Sequence, residues 1–231
     1  MSRRLNVRLL VWSLLVVAVA LGGLWAVHRW QMRHNADAFL RQAERALDNG
    51  QTEQALRHLT HYLSYYPEDI EARIKYATAC ERKAALTGDV LSAIVALERV
   101  LWLDPDQREV RFRLVHMLIR SSRYRDAVGH LDQLVAVWPK PAEIEHMRGW
   151  CLEASAVGDA DYRAAAAAFA RAVALEPAYL DSYALWAEVL ADRLRHPEKA
   201  SAIMERMVQA NPENAKAAQL RARFYQRQAG K

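Results

Sequence analysis

Five prolines, Pro67, Pro105, Pro139, Pro177 and Pro212, recur along the chain at intervals of 38, 34, 38 and 35 residues. Each closes a run with helical apolar spacing, and twelve residues before each stands an alanine: Ala55, Ala93, Ala127, Ala165 and Ala200. Proline lacks the backbone donor that would carry a helix through it, so every one marks a stop. Stops at this spacing leave room for two helices and two turns, the unit of a stacked helical repeat. Such a chain buries apolar surface only between neighbouring helices. The expected place of function is therefore an extended binding surface, not a closed catalytic pocket.

Composition agrees. Eight glycines and seven prolines in 231 residues, without runs of alternating β-branched residues, predict an all-α chain. The formal net charge of +5 would suggest an acidic partner, but it is localised. Residues 1–35 hold Arg3, Arg4, Arg8, Arg29 and Arg33 and no acid, so the chain beyond them is balanced. A neutral repeat region gives no basis for nucleic-acid binding. There is no Gly-rich phosphate loop, no H-E-x-x-H and no G-x-S-x-G. His58 and His61 share a helical face but lack a third ligand, so they read as surface histidines. Cys80 and Cys151 fall inside helical runs and read as small buried side chains. The acids flanking the prolines, Glu68, Asp69, Asp104 and Asp106, read as caps of the helices that follow. No catalytic residue, cofactor, metal or small-molecule substrate is expected.

The N-terminal segment is of another kind. Leu9–Val27 is an uncharged stretch of 19 residues, about 28 Å long as a helix and sufficient to cross a bilayer core. Trp12, Trp25 and Trp30 lie towards its ends, where indole rings favour the interface. The reading is a short tail over residues 1–8 and a transmembrane signal anchor over 9–30. The early arginines place the N-terminus in the cytoplasm and the repeats on the extracytoplasmic side. Ala18-Val19-Ala20 offers the competing reading of a cleaved signal peptide.

Residues 36–69 read ADAFLRQAERALDNGQTEQALRHLTHYLSYYPED. Ala43 and Ala55 take the small positions where two helices cross, Leu59 and Tyr62 the inner face, Asn49-Gly50 the turn, and Pro67 the stop. This 34-residue pattern resembles the tetratricopeptide repeat. Similar units follow at about 70–107, 108–141, 142–179 and 180–214, with a terminal helix at 215–230, so the resemblance spans 36–231. The first small position is Ala77, Val115, Gly149 and Ala187 in the later units. Arg111 and Glu145 stand where the family often has a large aromatic. Extra residues near Leu86–Asp89 and in Ser155–Tyr162 are expected to enlarge two turns, and one more falls around Arg195-His196-Pro197. The resemblance implies a right-handed helix–turn–helix solenoid, a tetratricopeptide superhelix preceded by one transmembrane helix.

In that family the first helix of each pair lines the concave face. In this register the third and fourth units present Phe112, His116, Arg120, His146, Trp150 and Glu153 there, a candidate groove for a protein or peptide. The resulting expectation is a membrane-anchored protein–protein interaction scaffold of bacterial type. Two alternatives remain open: an accessory subunit of an envelope enzyme system of the cytochrome-maturation or polysaccharide-export kind, and the N-terminal fragment of a larger repeat protein.

Overall fold

The computed structural model describes residues 12, 17, 19–23 and 36–230. The tail over 1–8 and most of the expected anchor over 9–30 lie outside them. Trp12, Val17 and residues 19–23 are helical and exposed. No helix among the described residues is long and apolar enough to cross a membrane. From residue 36 the chain is an all-α repeat array, and it divides into two compact units between Asp89 and Val90.

The first unit holds α1 (residues 36–48), α2 (Thr52–Tyr65) and α3 (Ile70–Thr87). The turn at Asn49-Gly50 forms as the sequence predicts. Gly50 adopts φ 71°, a conformation that costs other residues steric strain. Ala43, Ala55, Ala77 and Leu59 are fully buried. Asp69 caps α3 by accepting from the Ala72 amide at 3.0 Å. The Tyr62 hydroxyl donates to the same carboxylate at 2.7 Å, and burial together with that acid pushes the phenol well above its usual range. One residue thus ties the inner face of α2 to the start of α3. Lys75 of α3 pairs with Glu44 of α1. Phe39 stacks on His61 at 5.1 Å and on His58 at 6.3 Å, so these histidines help cover α1.

The second unit holds α4 (Val90–Leu103), α5 (Arg108–Arg120), α6 (Tyr124–Leu134), α7 (Pro141–Ala154), α8 (Asp159–Leu175), α9 (Leu180–Glu188), α10 (Pro197–Ala210) and α11 (Ala215–Ala229). Its crossing residues Ala93, Val115, Ala127, Ala165, Ala187 and Ala200 are fully buried. At Gly149 the reason for a small residue is explicit. A Cβ built there would stand 2.7 Å from the Phe169 ring, closer than van der Waals contact allows. Four of the five ladder prolines sit in turns of the same form. Pro139 does not, because α6 stops five residues before it and Pro141 opens α7 at once. Proline suits a first helical position, where its missing amide donor is not needed.

The extra residues lie elsewhere than expected. The Leu86–Asp89 insertion does not enlarge its turn: α3 runs 18 residues to Thr87 and leaves only Gly88 and Asp89 before α4. In the fourth unit the link is Ser155–Gly158, and much of the insertion goes into α8, which is 17 residues long. About four residues make one further helical turn, which adds backbone hydrogen bonds instead of an irregular loop. The single extra residue of the fifth unit becomes a π turn at Val189–Arg193. The Leu194 N–H donates back five residues to the Val189 carbonyl at 3.0 Å, the usual way a helix absorbs one residue. Asp104 and Asp106 also depart from expectation. Asp104 accepts from the Asp106 amide and from Gln107 within the turn, and Gln107, the N-cap of α5, makes no side-chain cap.

Candidate partner-binding face

Burial of a helix pair leaves the outward residues of α5 and α7 to define a surface, and the six predicted groove residues divide into three groups. Phe112 stacks on Trp138 with ring centroids 4.3 Å apart and meets His116 edge-on at 4.7 Å. Trp138 belongs to the irregular segment before Pro139, so the early end of α6 is what delivers its ring to α5. His116 and Arg120 remain exposed. Trp150 is 37% exposed and turns towards α6, where it meets Tyr124 edge-on at 5.4 Å. Beside Tyr124 lies a cleft of about 390 Å³ lined by Ser122, Arg123, Arg125, Asp126, Ala154 and Ser155.

His146 and Glu153 look the other way, towards α9. The His146 Nδ1 is 2.8 Å from the Ser182 hydroxyl, and its ring packs on Tyr179 and Phe169. Burial holds this imidazole below the usual histidine range, against the opposing pull of Asp181 and Glu143. Burial raises the Glu153 carboxyl, an effect lessened by Arg193 and reinforced by Glu188 and Asp192. These two side chains therefore belong to the junction between consecutive repeats. Phe112, His116 and Trp150 are the ones that keep an open aromatic surface.

Arg111 and Glu145, where the resemblance led to the expectation of a large aromatic, are buried and paired. The Arg111 guanidinium donates to the Pro105 carbonyl and lies 3.2 Å from the His130 Nδ1. Arginine can only donate, so this ring nitrogen must accept, and burial and Arg111 together hold His130 below its ordinary pKa. Glu145 receives two bonds from Arg171, at 2.7 and 3.1 Å, the forked pairing a guanidinium makes with a carboxylate. Both cysteines are free and buried, and burial pushes the Cys151 thiol up to about 12. No group of three or more His, Cys, Asp or Glu among the described residues is placed to hold a metal ion.

The sequence pattern does not reveal Trp138 and Tyr124, the ring partners of Phe112 and Trp150. Trp138 was visible next to Pro139 and Tyr124 at the start of α6, but no periodicity aims either of them at α5 or α7.

Comparison with known proteins fits this geometry. Residues 40–107 match the family model described as tetratricopeptide repeat. No curated protein matches the sequence. Among solved structures, MamA 41-end from Desulfovibrio magneticus RS-1 superposes with a TM-score of 0.58 at 21% identity, covering 78% of this chain and 97% of that one. A further MamA structure gives a TM-score of 0.62 at 15% identity, over 78% and 94%. YrrB, described as a TPR protein with an unusual peptide-binding site, gives 0.60 at 16% identity, over 78% and 89%. Residues 40–107 are thus similar to the tetratricopeptide repeat, and the likeness to these structures shows an all-α helical-repeat fold over most of the chain.

Proposed function

We propose that this protein is a membrane-tethered scaffold that holds a protein or peptide partner on the aromatic surface of its third and fourth repeats. The observation that carries the binding surface is Trp150. It remains more than one-third exposed on a helix whose neighbouring positions are buried, and it is braced by Tyr124 beside a cleft bearing Arg123 and Arg125. A rigid, partly exposed tryptophan with arginines close by is the composition of an interface hot spot. YrrB's peptide-binding site lends support by likeness of fold. The tether is residues 9–30, by their length and apolarity, with the array on the extracytoplasmic side by the charges before them. Such arrays are typically non-enzymatic, and the partner would supply any chemistry.

Affinity capture from cross-linked cells tests the binding role. The wild-type protein is expected to recover a partner that Trp150→Ala loses and Trp150→Phe partly keeps. Capture of the same proteins by wild type and Trp150→Ala would count against this surface. Proteolysis of intact cells tests the topology. An array digested only after the outer barrier is opened, leaving a protected fragment around residues 9–30, is expected; an array protected until the cytoplasmic membrane is lysed would reverse the sidedness.

A further inference from the structure

The outer face of α4 is unlike that of any other repeat. Counting back fourteen, ten, seven and three residues from its closing proline gives Leu91, Val95, Glu98 and Trp102. In every other unit these four positions are polar or no larger than alanine. The first unit has Glu53, Arg57, Thr60 and Ser64, and the fourth has Arg163 followed by three alanines. The α4 side chains are not taken up by packing: Leu91, Val95 and Trp102 are 64%, 56% and 67% exposed. Three large apolar residues lined up along one exposed helix face are uncommon on a protein with no partner for them.

The spacing of the stripe limits what covers it. Steps of four, three and four residues form the seam by which one helix packs on another. A bilayer surface fits poorly. Glu98 lies in the middle of the stripe, Arg99 is the only base on α4, and the repeat region as a whole carries no excess of positive charge. The same spacing reads identically in both directions. A two-fold axis through its midpoint therefore sets Leu91 beside Trp102 of a second copy and Val95 beside the stem of its Glu98. The Glu98 carboxylate is drawn aside by Arg123 of its own chain at 3.9 Å. Arg99 lies over the Trp102 ring at 4.1 Å, which holds the indole against the helix. Balanced charge removes the long-range repulsion that would keep two copies apart.

We propose that α4 is a self-association surface, on which a second copy of this chain packs its own α4 antiparallel across a two-fold axis. One helix face is well short of the roughly 800 Å² per partner of a standard interface, so the dimer is weak and concentration-dependent. This proposal is independent of the partner-binding surface on α5 and α7.

The test is sedimentation velocity of the full chain in mild detergent over a wide concentration range, with circular dichroism to verify the fold. A monomer–dimer equilibrium is expected, weakened about tenfold or more by Val95→Glu and by Trp102→Glu and unchanged by Ala167→Glu, at the equivalent position of α8. The double variant Leu91→Cys/Trp102→Cys supplies the geometry: oxidation gives a covalent dimer that neither single variant gives, while the buried Cys80 and Cys151 stay inert. A wild type that is monomeric throughout, a dimer insensitive to both glutamates, or covalent dimers from Leu91→Cys alone would overturn the proposal. So would binding to anionic lipid vesicles that Trp102→Glu abolishes, since that outcome assigns the stripe to the bilayer.

Discussion

The third and fourth repeats solve the same packing problem with opposite choices. At the crossing of the third, α5 contributes Val115 and α6 contributes Leu131; at the crossing of the fourth, α7 contributes Gly149 and α8 Phe169, and all four positions are buried. Where Gly149 leaves room, the Phe169 ring fills it. The buried charges show the same contrast. The third repeat sets Arg111 against a neutral His130, whereas the fourth sets Glu145 against Arg171. The general lesson is that the repeat keeps its crossings filled by apolar groups and its buried charges paired, whatever the residue identities.

The sharpest way to break this comparison is to remove the large partner. Phe169→Ala leaves a cavity that Gly149 cannot help to fill and is expected to cost about 3–5 kcal/mol of unfolding free energy. Leu131→Ala, which removes a smaller side chain, is expected to cost less, about 2–3 kcal/mol. Urea denaturation of the two variants under one set of conditions measures the difference, and a reversed ranking would refute the volume argument. Next comes Gly149→Ala, which forces its methyl into the Phe169 ring and is expected to cost about 1–3 kcal/mol. Adding Phe169→Leu should restore part of that loss. A strictly additive double variant would mean the two residues do not share the space.

Arg171→Ala leaves the Glu145 carboxylate buried with Arg148 at 3.9 Å as its remaining ion-pair partner among the described residues. Because Arg171 is itself half exposed, the expected loss is near 1–2 kcal/mol, below that for a fully enclosed pair. The smallest effect is on pH dependence, and it is expected of the third repeat. The folded state holds His130 below the ordinary histidine value of 6.5, through burial first and Arg111 second, with Asp126 opposing and Arg123 adding. As pH falls from neutral through 6.5 the unfolded chain takes up the proton first, so stability declines there and is unaffected at higher pH. His130→Gln keeps an acceptor for Arg111 without titrating. It should flatten the acid side of a melting-temperature profile, leaving the part due to His146, which is lowered in the same direction.

Much of this was legible beforehand. Alanines at fixed distances from the prolines end up fully buried because a helical repeat ties sequence position to helix face. The Asn49-Gly50 turn was equally plain, since its chemistry is local. What the pattern left hidden depended on contacts between elements. A proline count locates an insertion but does not distinguish a longer helix from a longer loop. That choice rests on whether the added residues can continue the hydrogen-bond ladder, as they do in α3 and α8. The register places the six candidate residues on α5 and α7, but it does not show how they divide. His146 faces Ser182, and Trp150 faces Tyr124, because neighbouring helices rotate each position toward a different partner.

By itself, then, the sequence determined the repeat, its all-α character, the crossing residues and the neutrality of everything beyond the N-terminal segment, because each follows from period, composition and local backbone chemistry. The tertiary structure decided which charges are buried as pairs, how extra residues are absorbed, and which aromatics stay open to a partner. Those outcomes depend on the space left between particular side chains, as where Gly149 admits Phe169 and Trp138 reaches Phe112.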